Sequence, residues 1–247
     1  MSNRFSVFIK QKFFAKGRNL VSVKEPFSLM PKLLKGLKVN GIIDAGASNG
    51  RISRRFLRWF PDAKVYAFEP NPAYLNDLKE YAKSDPRFCP QFLALSDSRG
   101  SFELNITSSR GNVSLLKPSK HLHDVDPEGS VVETVEKVQV VTIDDWAEEN
   151  GKPSIEILKF DIQGNELKAL KGASRTLSGS VAMVYTEVCF NPMYEEGAVF
   201  GQIDLLLREY GFELYDFYGP KYGPNGILFW ANAIFINSEK LRSVKHS

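Results

Sequence analysis

Apolar and polar positions alternate along the chain in a way that predicts strands and helices following one another. Ile42 and Ile43 lead into Asp44 and a loop of small residues, after which apolar residues recur every three or four positions from Ile52 to Phe60. This spacing is typical of a helix face, so the unit is strand, turn and helix. The same succession recurs downstream and predicts main strands at residues 42–44, 64–69, 92–95, 156–161, 181–188, 212–217 and 228–236.

These seven strands, with helices between them, predict an α/β fold with a doubly wound, mostly parallel sheet. Helices are predicted at 31–37, 52–60, 72–83, from 142 or 144 onward, at 167–171 and at 201–210. The last two strands are joined by a loop rich in Gly and Pro, which favours an antiparallel C-terminal hairpin at the edge of the sheet.

Residues 101–141 depart from this alternation, and we expect an inserted β element there. Residues 102–106 and 131–141 alternate and predict two strands. The polar stretch at 108–126 is predicted to be a mobile loop, because long loops without structure of their own are functional or disordered. The chain is therefore divided into a helical arm at 1–39 and one domain at 40–247, with the insert at about 101–141.

The first forty residues carry nine Lys and Arg side chains and one acid, Glu25. Phe5, Phe8, Ile9 and Phe13 recur at helical spacing, which predicts a basic amphipathic helix. Such a helix either packs on the body of the protein with its lysines in water or lies on an anionic membrane surface. Both interpretations stay open.

Composition narrows the partners and compartments. The 247 residues are 43% apolar and 25% charged, as in ordinary globular domains, and a net charge of +3 gives no argument for nucleic acid as a partner. Cys89 and Cys189 lack the spacing of metal ligands, which favours buried thiols in a reducing compartment. No apolar run spans a membrane and no signal peptide is recognisable. We expect a cytoplasmic protein, with peripheral membrane contact through the arm as the open alternative.

The loop after the first strand is the strongest candidate for a binding site, because such loops lie at the carboxyl edge of a doubly wound sheet, where ligands bind. Gly46 and Gly50 allow the backbone to approach a ligand closely. Neither the dinucleotide pattern G-x-G-x-x-G nor a phosphate-binding P-loop is present. A ligand with an amino-acid tail and an adenosine but no phosphate fits better, and we predict S-adenosylmethionine, with S-adenosylhomocysteine as product. The loop residues predicted to bind it are Asp44, Gly46, Ala47, Ser48, Asn49 and Gly50.

A second part of this cofactor site is predicted at the end of the second strand. Glu69 follows Gly46 by 23 positions, a separation at which an acid accepts hydrogen bonds from a ribose diol. Pro70 and Asn71 follow it and are included in the predicted site. The alternative is that Glu69 only caps the helix that starts near Pro72.

Acidic residues at the ends of later strands are further candidates. Methyl transfer to a hydroxyl requires a base that takes its proton. Asp161 is the first candidate, although it could instead bind the amino group of the cofactor, and Glu187 could equally form a structural ion pair. His123 is a third candidate, because imidazole titrates near neutral pH. Asp97, next to Ser96, would either receive the adenine amino group or begin a turn. No metal site is predicted.

Six segments of the chain carry a family resemblance. They are IIDAGASNG at 42–50, VYAFEPNP at 65–72, VTIDDW at 141–146, LKFDIQGNELKALKGA at 158–173, YTEVCFNPMY at 185–194 and WANAIF at 230–235. Together they resemble the FkbM-type methyltransferases over about residues 40–236. The chain departs from the family pattern at Ser48-Asn49, where the family often has Asn followed by an apolar residue, and at Gln163, where Glu is common. The resemblance implies the Rossmann-like class I methyltransferase fold and S-adenosylmethionine-dependent O-methylation of a hydroxyl on a sugar, a glycan or a polyketide-type small molecule.

An acceptor of this kind would be bound by aromatic faces and amide groups. The candidates for this role, each of which could equally be an ordinary core or edge residue, are Tyr185, Asn191, Tyr194, Trp230 and Asn232. Two other functions stay as alternatives. One is an NAD-linked oxidoreductase, against which the absent dinucleotide pattern counts; the other is a non-catalytic module of the same fold that anchors a partner at a membrane.

Overall fold

The computed structural model describes residues 25–109, 111–223 and 226–243, so the amphipathic helix predicted between Phe5 and Phe13 lies outside the described residues. Within these ranges the chain forms ten strands: β1 (Gly41–Ala45), β2 (Lys64–Phe68), β3 (Phe88–Gln91), β4 (Ala94–Leu95), β5 (Gly100–Thr107), β6 (Val132–Val141), β7 (Ile157–Phe160), β8 (Met183–Cys189), β9 (Phe212–Tyr222) and β10 (Leu228–Asn237). The α-helices in the same ranges are α1 (Pro26–Leu33), α2 (Arg51–Trp59), α3 (Leu75–Ser84), α4 (Lys120–Val125), α5 (Ile143–Glu149), α6 (Glu166–Lys171), α7 (Ser174–Ser178), α8 (Phe200–Glu209) and α9 (Ser238–Ser243).

Seven of the strands form one sheet in the order β3-β2-β1-β7-β8-β10-β9. β10 runs antiparallel to both of its neighbours, and the other adjacent pairs are parallel. The predicted fold class is confirmed: the sheet is doubly wound and mostly parallel, it ends in an antiparallel hairpin, and its strand order is that of class I methyltransferases.

The prediction that residues 92–95 form the third strand of the main sheet is wrong. Phe88–Gln91 is the strand that pairs in parallel with β2, and Ala94–Leu95 instead pairs with β6 in a second sheet. Pro90 made residues 88–91 a poor strand candidate, since Pro has no N–H to donate to a ladder. It is tolerated because β3 is the edge strand of the sheet and needs hydrogen bonds on one side only.

The expected inserted β element is a three-stranded sheet in the order β4-β6-β5, in which β5 and β6 pair antiparallel. The segment between them contains α4, which the sequence did not predict. The Ser119 hydroxyl begins this helix by accepting hydrogen bonds from the N–H groups of His121 at 3.1 Å and Leu122 at 3.4 Å. Leu122 is buried, which anchors the helix to the body of the protein.

The first described helix, α1, begins at Pro26 and ends at Leu33, whereas the sequence predicted a helix over 31–37. The Glu25 carboxylate caps it by accepting a hydrogen bond from the Ser28 N–H at 2.8 Å, and Pro suits a first helical turn. Phe27 is buried in the core that α2 and α3 form on one face of the sheet. This part of the predicted arm therefore packs on the domain.

The parallel strands end together at one edge of the sheet. Ala45 of β1 lies in register with Phe68 of β2 and with Phe160 of β7. The residues that follow these strand ends are neighbours: Gly46, Glu69 and Asp161. Residues separated by more than a hundred positions are thus brought to one edge, as the strand ends predict.

Candidate functional site

The loop between β1 and α2 lies against the residues that follow β7. The N–H groups of Gly46 and Ala47 both donate to the Phe68 carbonyl oxygen at 3.0 Å, which holds the loop at the end of β2. Gly46 has φ +73°, and a Cβ at this position would overlap the Asp161 carbonyl oxygen. Only Gly fits here, because the backbone after β7 occupies the space of a side chain.

A buried lysine supports this loop. Lys159 Nζ donates to the carbonyl oxygens of Ala45 at 3.0 Å and Gly46 at 2.9 Å, and it forms an ion pair with Asp44 Oδ1 at 2.9 Å. Asp44 in turn accepts a hydrogen bond from the Ser53 hydroxyl at 2.6 Å. Two hydrogen bonds and one ion pair thus hold the ammonium group against the loop, so Lys159 positions the loop.

Glu69 is buried at the tip of β2. Its Oε2 accepts a hydrogen bond from the Ser48 N–H at 2.7 Å, and its Oε1 accepts one from the Asn71 N–H at 2.9 Å. Burial raises the pKa of this carboxyl group, and the two hydrogen bonds oppose the rise. The alternative that Glu69 caps the following helical turn, Pro72–Tyr74, is wrong, since Asn71 Oδ1 caps it by accepting from the Ala73 N–H at 3.0 Å.

A cavity of about 360 Å³, which we call the first cavity, lies between these loops and the inserted sheet. The predicted cofactor residues that line it are Gly46, Ala47, Ser48, Asn49, Glu69, Pro70, Asn71 and Asp161. Its apolar wall is formed by Phe68, Leu93, Leu95, Leu104, Val113 and Leu115. The last three belong to the insert, which completes a site that the strand ends leave open on one side.

A glutamine joins two carboxylates at the ends of β7 and β8. Gln163 Nε2 donates to Asp161 Oδ1 at 2.7 Å and to Glu187 Oε2 at 3.2 Å. Its Oε1 accepts a hydrogen bond from the Tyr194 hydroxyl at 2.7 Å, and its carbonyl oxygen accepts one from the Ser114 hydroxyl at 2.7 Å. Gln163 has φ +55°, which costs a non-glycine residue on the order of 1 kcal/mol. Contacts on every side hold this strained residue in place.

The surroundings of Glu187 make it a stronger base than an exposed carboxylate. Burial raises the pKa of Glu187 well above its ordinary value, and the neighbouring carboxylates of Asp161 and Glu166 raise it further. Burial also raises the pKa of Glu166 to about 7. Because a raised pKa means tighter proton binding, the ionised form of Glu187 takes a proton readily.

A second cavity, of about 130 Å³, adjoins the first at Gly111 and Gln163, which line both. Its other lining residues are Asn112, Leu122, Glu187, Cys189, Met193, Tyr194 and Trp230. Of the two carboxylates that Gln163 joins, Asp161 lines the first cavity and Glu187 lines the second. Asp161 and Glu187 therefore lie on the walls of different cavities.

Four predicted cofactor residues line neither cavity. Asp44 is fully buried behind the loop in its ion pair, and Gly50 begins α2 with φ +74°. Ser96 is buried, and Asp97 is exposed and accepts a hydrogen bond from the Ser96 hydroxyl at 3.3 Å. This placement agrees with the alternative that Asp97 begins a turn, because its carboxylate bonds to the neighbouring Ser96 and does not line either cavity.

His123, the third predicted base, is not brought to the site. It is exposed on α4, and its Nδ1 lies 3.0 Å from the Ser130 hydroxyl oxygen. The reason is the orientation of the helix, which buries the neighbouring Leu122 against the body and leaves His123 in solvent.

Three of the predicted acceptor residues also lie outside the cavity walls. Tyr185 is buried under the sheet against Phe27, with ring centroids 5.5 Å apart. Asn191 donates a hydrogen bond to the first residue of β10 at 3.1 Å. Asn232 is half-buried on β10, paired with Glu187 in the register of the sheet. These placements match the alternative of ordinary core and edge residues.

Some residues that line the two cavities were not predicted from the sequence. Lys159 could have been recognised, because a lysine inside a buried apolar strand is rare unless it is paired. Nothing in the sequence pattern indicates that Ser114 and the apolar insert residues line a cavity. The alternation of a strand shows which of its faces is buried but not what covers that face, so only the folded chain reveals that the insert lines the first cavity.

No group of three or more His, Cys, Asp or Glu side chains in the described part of the chain is placed to hold a metal ion. Among the helices of residues 25–109, 111–223 and 226–243, none combines the length and apolar character needed to cross a bilayer.

Comparison with known proteins points to one family, whose model, the methyltransferase FkbM domain, matches residues 44–214. The chain is 30% identical over 195 residues to methyltransferase sdnD of Sordaria araneosa, which covers 70% of this chain and 73% of that protein. It is 29% identical over 164 residues to the 2-O-methyltransferase NoeI of Sinorhizobium fredii, covering 62% and 65% of the two chains. It is 32% identical over 129 residues to the hexuronic acid methyltransferase AglP of Haloferax volcanii, covering 51% and 47%.

The chain thus spans less than two thirds of the length of NoeI and of AglP. Among solved structures, an FkbM methyltransferase from Methylobacillus flagellatus matches with 18% identity and a TM-score of 0.47, over 82% of this chain and 45% of that one.

Proposed function

Because the chain belongs to the FkbM family of methyltransferases, we propose that it transfers the methyl group of S-adenosylmethionine to a hydroxyl of a sugar, a glycan or a polyketide-type small molecule. The observation that carries this proposal is the meeting of two cavities at Gln163, with one carboxylate on each side. A transferase needs this arrangement, because its two substrates must be held in contact and correctly oriented.

The first cavity takes the cofactor. Each carboxylate oxygen of Glu69 has further lone pairs for the ribose hydroxyls after its bond to Ser48 or Asn71. The apolar wall that the insert completes suits a flat adenine ring. Asp161 lies beside Gln163 at the boundary with the second cavity, where its negative charge suits the cationic amino and sulfonium groups of the methionine end.

The second cavity takes the acceptor. Trp230 is half-buried there and offers a ring face, and the carboxylate of Glu187 and the hydroxyl of Tyr194 offer oxygen atoms. A cavity with an aromatic wall and few polar groups is typical of a small-molecule site. Two of the relatives are named as a 2-O-methyltransferase and a hexuronic acid methyltransferase, which supports a sugar hydroxyl as the acceptor.

The residues at the boundary suit an in-line displacement. The acceptor oxygen attacks the methyl carbon while the carbon–sulfur bond breaks, and the electron pair of that bond returns to sulfur. The hydroxyl proton passes to the carboxylate of Glu187, which leaves a methyl ether and S-adenosylhomocysteine. Glu187 is favoured over Asp161 as the base because it lines the acceptor side of Gln163. The Gln163 amide fixes the separation of the two acids.

Titration calorimetry with S-adenosylhomocysteine tests the cofactor site. The wild-type protein should bind it with micromolar affinity, and Gly46→Ala should abolish binding because the added Cβ displaces the Asp161 backbone. Gly151→Ala is a matched control: Gly151 has φ +78°, but no atom lies within 4 Å of an added Cβ, so this variant shares the backbone strain and should bind normally. A well-folded wild-type protein that does not bind S-adenosylhomocysteine would overturn the proposal.

A further inference from the structure

The charges around the second cavity bear on what it can accept. Glu187 is its lining acid, and none of its described lining residues is Lys, Arg or His. Arg110, next to Gly111 in the chain, is not among the residues that the structure describes. The carboxylates of Asp161 and Glu166 also lie close enough to Glu187 to raise its pKa. The described surroundings of this cavity are therefore acidic.

The same negative field reaches other walls of the cavity. Burial is the main cause of the raised pKa values of the Cys189 thiol and the Tyr194 hydroxyl. The carboxylates of Glu187, Glu166 and Asp161 raise both pKa values further, because they disfavour a negative charge at either side chain. An anionic group of a ligand would meet the same repulsion from those of the three acids that are ionised, and Glu187 must be ionised to act as the base.

Lys159 does not supply the missing positive partner. It lines the first cavity, and its ammonium group already pairs with Asp44 and donates to the carbonyl oxygens of Ala45 and Gly46. An anion entering the second cavity would lose part of its hydration without gaining an ion pair to any of the described lining residues, which is unfavourable in a partly enclosed site. Neutral hydroxyl groups avoid this cost, because the polar side chains of the second cavity can form hydrogen bonds with them.

We propose that the acceptor group bound in the second cavity is an uncharged sugar or polyol ring, and that acidic and phosphorylated sugars are rejected. The inference rests on the proposed function, because it assigns this cavity to the acceptor. The half-buried Trp230 fits it, since an aromatic face packs on the C–H face of an uncharged pyranose. The proposed preference for an uncharged acceptor also distinguishes this chain from its relative named as a hexuronic acid methyltransferase.

The test uses pairs of acceptors that differ in one charge. Methyl glycosides of glucose, galactose and mannose are each compared with the methyl glycoside of the matching uronic acid. Release of S-adenosylhomocysteine gives kcat/KM for each compound, and saturation-transfer NMR on the protein loaded with S-adenosylhomocysteine compares binding without turnover. We expect at least one uncharged member to bind and to be methylated, with a preference of roughly 100-fold over its acidic partner, as for like charges a few ångströms apart in a partly buried site.

A charge placed at the cavity should change this preference. Gly111 is exposed and lines both cavities, and a Cβ there would meet only the Ser109 hydroxyl oxygen, at 3.8 Å. Gly111→Lys should therefore fold, and it should reduce the preference for the uncharged member by about tenfold or more. Gly111→Gln is the control of similar size without the charge, and it should keep the preference. Calorimetry with S-adenosylhomocysteine checks that both variants retain the cofactor site.

The outcomes separate this inference from the proposed function. Equal or better use of the acidic members by the wild-type protein overturns the inference, as does a preference that is the same in Gly111→Lys and Gly111→Gln. Failure to methylate any uncharged member, while S-adenosylhomocysteine still binds, also overturns it. If the wild-type protein does not bind S-adenosylhomocysteine, this result instead overturns the proposed function.

Discussion

The carboxylates near the carboxyl edge of the sheet have different roles because their neighbouring residues differ. Asp44 has a buried ammonium partner and a hydroxyl donor, so it supports the loop after β1. Glu69 bonds to two backbone N–H groups and keeps a place on the wall of the first cavity. Glu187 receives one amide hydrogen bond and lies near other acids, which leaves it able to take a proton. Residue type alone does not distinguish these roles.

The raised pKa of Glu187 predicts a pH dependence. A base must be unprotonated to act, so kcat/KM of the wild-type protein should rise with pH through an apparent pKa above the ordinary Glu value of 4.5. Glu187→Gln should lower kcat by about 100-fold or more and remove this rise. Glu133→Gln, at an exposed position of the insert, is the control and should keep the wild-type profile. A pH rise that persists unchanged in Glu187→Gln would assign the proton transfer to another group.

At the scale of elements, the loop from β7 into α6 joins the sheet, the insert and both cavities. The Asn165 amide donates to the Leu95 carbonyl oxygen at 2.8 Å, which ties this loop to β4. Gly164 leaves room for Tyr194, whose ring carbon would lie 2.8 Å from an added Cβ. Glu166 closes the loop by accepting hydrogen bonds from the Ile162 and Gly164 N–H groups, each at 2.9 Å. The segment from 161 to 166 is therefore one structural unit.

Glu166 should make the stability of this unit depend on pH. In the folded protein it holds a proton up to about pH 7, whereas its ordinary pKa is 4.5. The folded state therefore binds more protons between these values, and its contribution to the free energy of unfolding falls as pH rises, by roughly 3 kcal/mol in total. Urea unfolding from pH 5 to pH 8 should show this fall in the wild-type protein and less of it in Glu166→Gln.

The Glu166→Gln variant also loses one backbone hydrogen bond, because Gln offers one acceptor oxygen where Glu offers two. That loss lowers its stability by about 1–3 kcal/mol at every pH, so the slope against pH is the diagnostic quantity. Equal slopes for the two proteins would show that Glu166 is not the titrating group.

At the scale of the whole molecule, the site lies between the sheet edge and the insert. The Ser114 hydroxyl bonds to Gln163, and the Ser119 N–H donates to the Met193 carbonyl oxygen at 3.0 Å. Farther along, the Glu195 N–H donates to the Lys117 carbonyl oxygen at 2.8 Å. The insert is thus fastened to the segments that follow β7 and β8, and it forms the wall that the sheet does not supply.

A chain that begins at Glu25 should keep its cofactor affinity. The described residues that line the two cavities all lie between Ala45 and Trp230, and the cap of α1 is retained. Calorimetry with S-adenosylhomocysteine on the full and shortened chains should give equal dissociation constants within about twofold. A large loss of affinity in the shortened, folded chain would place part of the site in residues 1–24.

Membrane contact through the arm stays a prediction, because residues 1–24 lie outside the described residues. Co-sedimentation with anionic vesicles distinguishes the two interpretations of the arm. Binding by the full chain but not by the shortened chain supports a membrane-bound helix. Equal behaviour of the two supports a helix that packs on the body.

The sequence by itself determined the α/β alternation, the loop of small residues after β1 and the acids at the ends of β2, β7 and β8. These features are local: hydrophobic spacing sets the element type, and parallel strands bring their carboxyl ends to one edge. Local signals also misled, since Pro90 hid the edge strand and His123 suggested a base that lies in solvent.

Only the tertiary structure decided which groups meet. It hid Asp44 behind the loop with Lys159, more than a hundred residues away, and left Asp97 in its own turn. It also brought the insert over the sheet edge and placed Gln163 between two acids. The physical reason is that burial, ion pairing and cavity walls are made by residues distant in the chain, and the spacing of a sequence does not encode those contacts directly.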